Sequence, residues 1–262
     1  MSWPDLPTAA TVARLTEALQ ALGSATVPTV TSLAEATGNP SRPWRDCRSL
    51  VTVPGSFNPL HWAHLELLAY GVETVSADAG AFILSPNTID KARPLGMDLS
   101  DRAWTMQTTL EWAGQHDPRL ARTILSGLLL SHGLYVDQAH ALRQACTNLH
   151  EVGLWFVVGY DKIVQIFDPR YYTDRTSSLD TLFNLAGFLV APRDAATPAD
   201  LANLLNLPQN LSYATRIRPI ELPATFANVA STGIRTRATL GTTLSAEVPP
   251  PVASMIKTRR CY

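Results

Sequence analysis

The stretch SLVTVPGSFNPLHWAH, residues 49–64, opens as an apolar β-branched run, breaks at Gly55-Ser56, and resumes with two histidines three positions apart. The run suits a buried strand. A glycine at its end tolerates backbone angles that other residues avoid and lets a ligand approach the main chain. Asn58-Pro59 is a natural helix entry, because proline's fixed φ suits a first turn, and it predicts a helix beginning near Leu60. His61 and His64 then lie in or beside that turn on one face, with Trp62 turned away. The free N–H groups and dipole of a helix start attract anions, so two imidazole donors there are shaped for phosphate. A zinc site would want a third ligand and an adjacent general base, as in HExxH, and neither stands beside this pair. A histidine that activates a nucleophile wants a GxSxG elbow, which the sequence lacks. For HxxH taken alone, simple capping and packing stay open.

Outward from this junction the chain keeps alternating. Short β-branched or aromatic runs at 49–54, 81–85, 121–126, 154–158, 186–191 and 215–221 predict strands. Between them, 62–77, 100–114, 137–150 and 198–206 predict amphipathic helices, with another over 8–22 and a last one after the prolines at 249–251. Strands alternating with helices indicate the α/β class: a Rossmann-like, mostly parallel sheet with helices on both faces, plus helical additions at both ends. The expected organisation is a helical extension over 1–46, packed on one domain over 47–262; within the extension, 24–46 reads as a loop-bearing lead-in. Right-handed crossovers place ligands at the carboxyl ends of the strands, where strand order reverses.

Composition narrows the class. The chain has 262 residues, 46% of them hydrophobic and 16% charged, which suits a substantial core. A formal net charge of −1 gives no reason to expect nucleic acid or an anionic membrane as partner. Cys47, Cys146 and Cys261 are scattered and form no CxxC pair, as in a reducing compartment. The first residues lack a signal-peptide layout and no apolar run reaches the ~20 residues that span a bilayer. The expectation is a soluble cytoplasmic protein, or nuclear in a eukaryote. A homo-oligomer is left open.

GSFNPLHWAH resembles the G-x-F-x-P-x-H-x-G-H signature of the nucleotidylyltransferase superfamily, whose members join a nucleoside triphosphate to a phosphate-bearing acceptor. The superfamily's second signature, S-T-x-x-R at a late helix start, is matched by Ser231-Thr232-Gly233-Ile234-Arg235. Residues 157–172, VVGYDKIVQIFDPRYY, resemble the V-G-x-D … F-x-x-P-x-Y/W stretch of nicotinamide-nucleotide adenylyltransferases, especially those of the eukaryotic or fungal-like kind. SPNTIDK at 85–91 is similar to the loop after that family's second strand. The resemblance spans about 50–238, and two positions depart from it: Ala63 replaces the glycine between the histidines, and Ala230 stands where many relatives have serine.

The resemblance implies a nucleotidyltransferase fold and an enzyme that joins the AMP moiety of ATP to nicotinamide or nicotinate mononucleotide, releasing pyrophosphate. It implies His61, His64 and Arg235 as catalytic groups acting on the triphosphate. Gly55, Ser56, Phe57, Gly159, Asp161, Ser231 and Thr232 would bind ATP. Asn87, Lys91, Arg102, Tyr171 and Tyr172 would bind the mononucleotide, with Tyr172 stacking on the pyridine ring before Tyr171. Mg²⁺ would bridge the ATP phosphates, with no metal ligand from protein side chains. Alternatives on the same scaffold are a cytidylyltransferase, a pantetheine-phosphate adenylyltransferase, or a non-catalytic nucleotide-binding relative.

Overall fold

The protein is described by a computed structural model over residues 6–38, 44–87, 96–192, 197–227, 229–242 and 244–262. In chain order the elements are α1 (Ala9–Gly23), β1 (Val30–Ser32), α2 (Leu33–Thr37), β2 (Leu50–Pro54), α3 (Trp62–Val75), β3 (Ala79–Leu84), α4 (Leu99–His116), β4 (Ile124–Leu130) and α5 (Tyr135–Ala145). The second half continues with β5 (Leu154–Gly159), α6 (Tyr160–Phe167), α7 (Arg175–Leu185), β6 (Gly187–Ala191), α8 (Pro198–Leu205), β7 (Ile217–Pro219), α9 (Ala224–Ala227), α10 (Ser231–Thr239) and α11 (Pro250–Arg259).

The strands form one sheet in the order β1-β4-β3-β2-β5-β6-β7, in which only β1 runs antiparallel, against β4. Successive residues of a strand point to opposite faces, and the core obeys that period. Val51, Val53, Phe82, Leu129, Trp155 and Val157 join one apolar cluster with α1, α3 and α4. Their strand neighbours Leu50, Ile83, Leu128, Phe156 and Val158 join the other, with α5, α6 and α7. Both faces are therefore covered, as a parallel sheet requires. The one polar side chain within β2, Thr52, is wholly buried and donates to the Trp155 carbonyl at 3.1 Å.

From β2 the chain builds outward through β3 to β4, then returns to the other side of β2 for β5, β6 and β7. Strand order thus reverses between β2 and β5, the kind of switch point at whose carboxyl ends open α/β sheets take their ligands. The pair is in register from Leu50–Leu154 to Thr52–Phe156, and Gly55 and Gly159 each lie three residues beyond the last pair. The two glycine-led turns of the sequence reading therefore flank the switch point.

Several expectations are corrected. The lead-in over 24–46 contains an edge strand and a short helix; β1 is three residues of a polar segment, ordered by pairing with β4 rather than by its own pattern. The helices α6 and α7 were not anticipated. The helix after the first signature starts at Trp62, not near Leu60, because His61 is extended and the Trp62 N–H donates to the Glu247 carbonyl.

Gly71 lets α3 settle close to the sheet: a Cβ there would lie 2.8 Å from Val51 Cγ1 and 2.9 Å from Val157 Cγ2. Gly71→Ala, although better for an isolated helix, is expected to destabilise the protein by about 1–3 kcal/mol through overpacking. Urea unfolding of the two proteins checks this, and a variant as stable as the parent would refute it.

Candidate active site

The turn after β2 is built around Phe57, a wholly buried residue held at φ 46°, in the left-handed region that non-glycine residues seldom occupy. Its ring packs on Phe82 and meets His64 edge-on, with centroids 5.1 Å apart in both pairs. Gly55 is the partner of that packing, since a Cβ there would come within 2.9 Å of the Phe57 ring. Phe57, which the resemblance assigns to ATP binding, thus has a wholly buried side chain whose ring lies edge-on against His64.

His61 is the N-cap residue of α3 and only 5% exposed, whereas His64 is half-buried. The two imidazoles stack with centroids 3.7 Å apart. The His61 main-chain N–H donates to His64 Nδ1 at 3.2 Å. An imidazole nitrogen that accepts carries no proton, so neutral His64 is held with its proton on Nε2, as a donor. Ala63, the departure from the family pattern, is buried.

The second signature docks on the same turn. Arg235 Nη1 donates to the Asn58 carbonyl at 2.8 Å, and Ser231 Oγ donates to the Pro59 carbonyl at 3.1 Å. Arg235 Nη2 reaches Thr232 Oγ1 at 3.1 Å within α10. Ala230 supplies no side-chain cap to that helix. Glu247 ties the arrangement together: its carboxylate pairs with Arg237 of α10, and its carbonyl accepts the Trp62 N–H that opens α3. The two helix starts, some 170 residues apart in the chain, thus converge on one loop.

Arg102 belongs to this cluster rather than to open solvent. It is 7% exposed, with Nε donating to the Met97 carbonyl at 2.8 Å and Nη1 to the Ser56 carbonyl at 3.4 Å. Burial lowers its pKa, and the charge of Arg235 acts in the same direction, while Tyr262 and Asp98 oppose it. The Asn87 amide donates to the Ser131 carbonyl at 2.9 Å and the Gly23 carbonyl at 3.4 Å, so it bridges loop ends beside the sheet. Lys91 lies outside the described residues.

Across the switch point, Gly159 is the N-cap residue of α6 and Asp161 sits exposed in its first turn. Of the two tyrosines that follow, Tyr172 is half-buried: its hydroxyl donates to the Ile166 carbonyl at 2.5 Å and burial raises its pKa. Tyr171 is 56% exposed, its hydroxyl accepting from Gln165 Nε2 at 2.9 Å. Tyr171 is thus the more exposed ring of the two, and Tyr172 the more enclosed. Two further residues that meet this cluster, Glu247 and Tyr262, carry no spacing signal in the sequence, and Asn58 reads there only as a helix entry.

Among the described residues, no group of three or more His, Cys, Asp or Glu side chains gathers to hold a metal ion. The donors that do gather are imidazoles, hydroxyls and guanidinium groups, suited to an anion. Among the same residues, no helix is long and apolar enough to cross a membrane.

Solved structures with the same architecture identify the scaffold. The chain superposes on Plasmodium falciparum nicotinic acid mononucleotide adenylyltransferase complexed with NaAD at a TM-score of 0.59 and 14% identity, covering 81% of this chain and 96% of that one. The same protein complexed with APC gives a TM-score of 0.55 at 13% identity over the same shares. The fold is that of a nucleotidyltransferase. No family model matches the chain. It is 26% identical over 220 residues to a probable nicotinate-nucleotide adenylyltransferase of Geotalea uraniireducens, covering 79% of this chain and 95% of the relative. A protein of the same description from Pelobacter propionicus is 24% identical over 212 residues, again 79% and 95%. These relatives support a nucleotidyltransferase family for the chain.

Proposed function

We propose that this protein is an adenylyltransferase that joins the AMP moiety of ATP to nicotinate or nicotinamide mononucleotide, giving the dinucleotide and pyrophosphate. The observation that carries the reading is the docking of Arg235 and Ser231 on the Asn58-Pro59 main chain, directly before His61 and His64. It is supported by the descriptions of the bacterial relatives and of the Plasmodium enzyme. The likeness to the eukaryotic or fungal-like branch rests on the VGYD and DPRYY segments alone, since the sequence relatives named are bacterial.

A phosphate oxygen of the mononucleotide attacks the α-phosphorus of ATP; that oxygen–phosphorus bond forms as the bond to the β-phosphate bridging oxygen breaks, and pyrophosphate leaves with the charge. Such a transfer needs alignment and charge neutralisation more than covalent help. His64, with Nε2–H as its donor, would bond a triphosphate oxygen as charge builds, with His61 stacked behind it. Arg235, Ser231 and Thr232 would hold the departing pyrophosphate at the start of α10. Mg²⁺ would accompany ATP as part of the substrate and neutralise charge on its phosphates. Gly55, Ser56, Gly159 and Asp161 would meet the nucleotide at the switch point between β2 and β5. Arg102 and Asn87 would support the loops around the mononucleotide, Tyr171 or Tyr172 would stack on its pyridine ring, with Tyr171 the more exposed, and Lys91 would meet its phosphate.

A pyrophosphate-release assay with each mononucleotide and ATP tests the reading. Release with at least one of them, and none with CTP, is the expected result. Release only with a phosphorylated alcohol or phosphopantetheine, or with no acceptor at all, would overturn it.

A further inference from the structure

Asn58 is 1% exposed, and its side-chain oxygen accepts twice: from the Met97 N–H at 3.2 Å and from the Tyr262 hydroxyl at 2.6 Å. Its main-chain carbonyl is the acceptor that holds Arg235 at 2.8 Å. One residue therefore joins the Tyr262 hydroxyl to the guanidinium that the proposed reaction places on the leaving group.

Three independent features bring the tyrosine there. Helix α11 packs on α4, where Arg259 Nη2 lies 3.2 Å from Asp101 Oδ1 in the first turn. Arg260 then adopts φ 50°, a left-handed cap that ends the helix and turns the following residues back. Gly96, at φ 125°, makes room: a Cβ there would lie 2.2 Å from Tyr262 Cε1 and 2.7 Å from Asn58 Oδ1. The ring is thus seated in a slot formed by a glycine that no other residue could replace without moving it. The site is also electrostatically joined, for the charges of both Arg102 and Arg235 act on the Tyr262 phenol, whose pKa is raised chiefly by burial.

We propose that Tyr262 is a positioning residue of the phosphate cleft, its hydroxyl fixing Asn58 so that the Asn58 carbonyl presents Arg235 to the triphosphate. The inference rests on the adenylyltransferase reading and deepens it, because it assigns part of the triphosphate grip to a residue outside both signature segments. Tyr262→Phe keeps the ring in its slot and leaves the Asn58 oxygen with its Met97 donor, so no buried acceptor is orphaned and the fold should survive. Loss of a positioning contact of this kind loosens a neighbour rather than removing a ligand.

The test is a double-mutant cycle on ATP affinity, read by calorimetry in the presence of Mg²⁺ with no acceptor. Tyr262→Phe is expected to weaken ATP binding by about tenfold with an unchanged melting temperature, and to weaken it by less than about twofold further when Arg235→Ala is already present. Equal loss in both backgrounds, or a Tyr262→Phe protein that binds ATP like its parent, would overturn the positioning role while leaving the adenylyltransferase reading intact. A parent protein that fails to bind ATP would overturn both.

Discussion

His64→Ala is expected to lower the rate of pyrophosphate release by about a hundredfold or more, the usual consequence of removing one preorganised donor at a developing charge, on the order of 3 kcal/mol. The fold should persist, because His64 is half-buried and its ring rests on Phe57 and His61 without filling the interior. The chemistry of the loss can be dissected. With Nδ1 engaged by the His61 N–H, the working donor is Nε2, farther from the backbone. Glutamine places an amide nitrogen near that position, while asparagine reaches only as far as Nδ1. His64→Gln should therefore recover part of the lost rate and His64→Asn should not. Steady-state turnover of the three variants, with melting curves as a control, decides the matter. An alanine variant that keeps the parent's rate would remove His64 from the mechanism.

Arg235→Ala is the second large expected effect: a loss of about a hundredfold in kcat/KM for ATP, as a fully used charged donor is removed from the leaving group. Part of that loss should come from the loop itself, since the Asn58 carbonyl would lose its guanidinium partner. Arg235→Lys should restore little. A lysine carries the charge but cannot span the Asn58 carbonyl and Thr232 Oγ1 from one planar group, as Arg235 does over 2.8 and 3.1 Å. Kinetics with ATP varied at saturating mononucleotide measures both variants. Restoration by lysine to near the parent value would mean that charge alone matters there and that the geometry of the fork does not.

Much of the fold was legible because its signals are short-range. The β-branched runs and the amphipathic intervals each report a local preference, and all six expected strands have counterparts in the sheet. Among the elements that escaped are β1, held by pairing with β4, the short α2 that follows it, α6, which follows β5 with no intervening loop, and α7. The site divides in the same way. His61, His64, Ser231 and Arg235 stand out in the sequence because each lies at or near a helix start with a recognisable neighbour pattern. The contacts of Asn58, Glu247 and Tyr262 do not stand out, because each joins a donor and an acceptor distant in the chain, and no spacing rule encodes such a pair. The burial of Phe57 and the greater exposure of Tyr171 than of Tyr172 were not legible, since residue type reports that an aromatic ring is present but not which of its faces is buried.

The sequence by itself determined the α/β alternation, the two glycine-led turns and the chemical kind of the pocket, since these follow from residue types within a few positions of one another. Only the tertiary structure decided that the turns flank the point where strand order reverses, that α10 lies on the loop before α3, and that Tyr262 returns to Asn58. The reason is that sheet order and helix docking are settled by burying two faces at once, a condition on the whole chain that no local stretch can state.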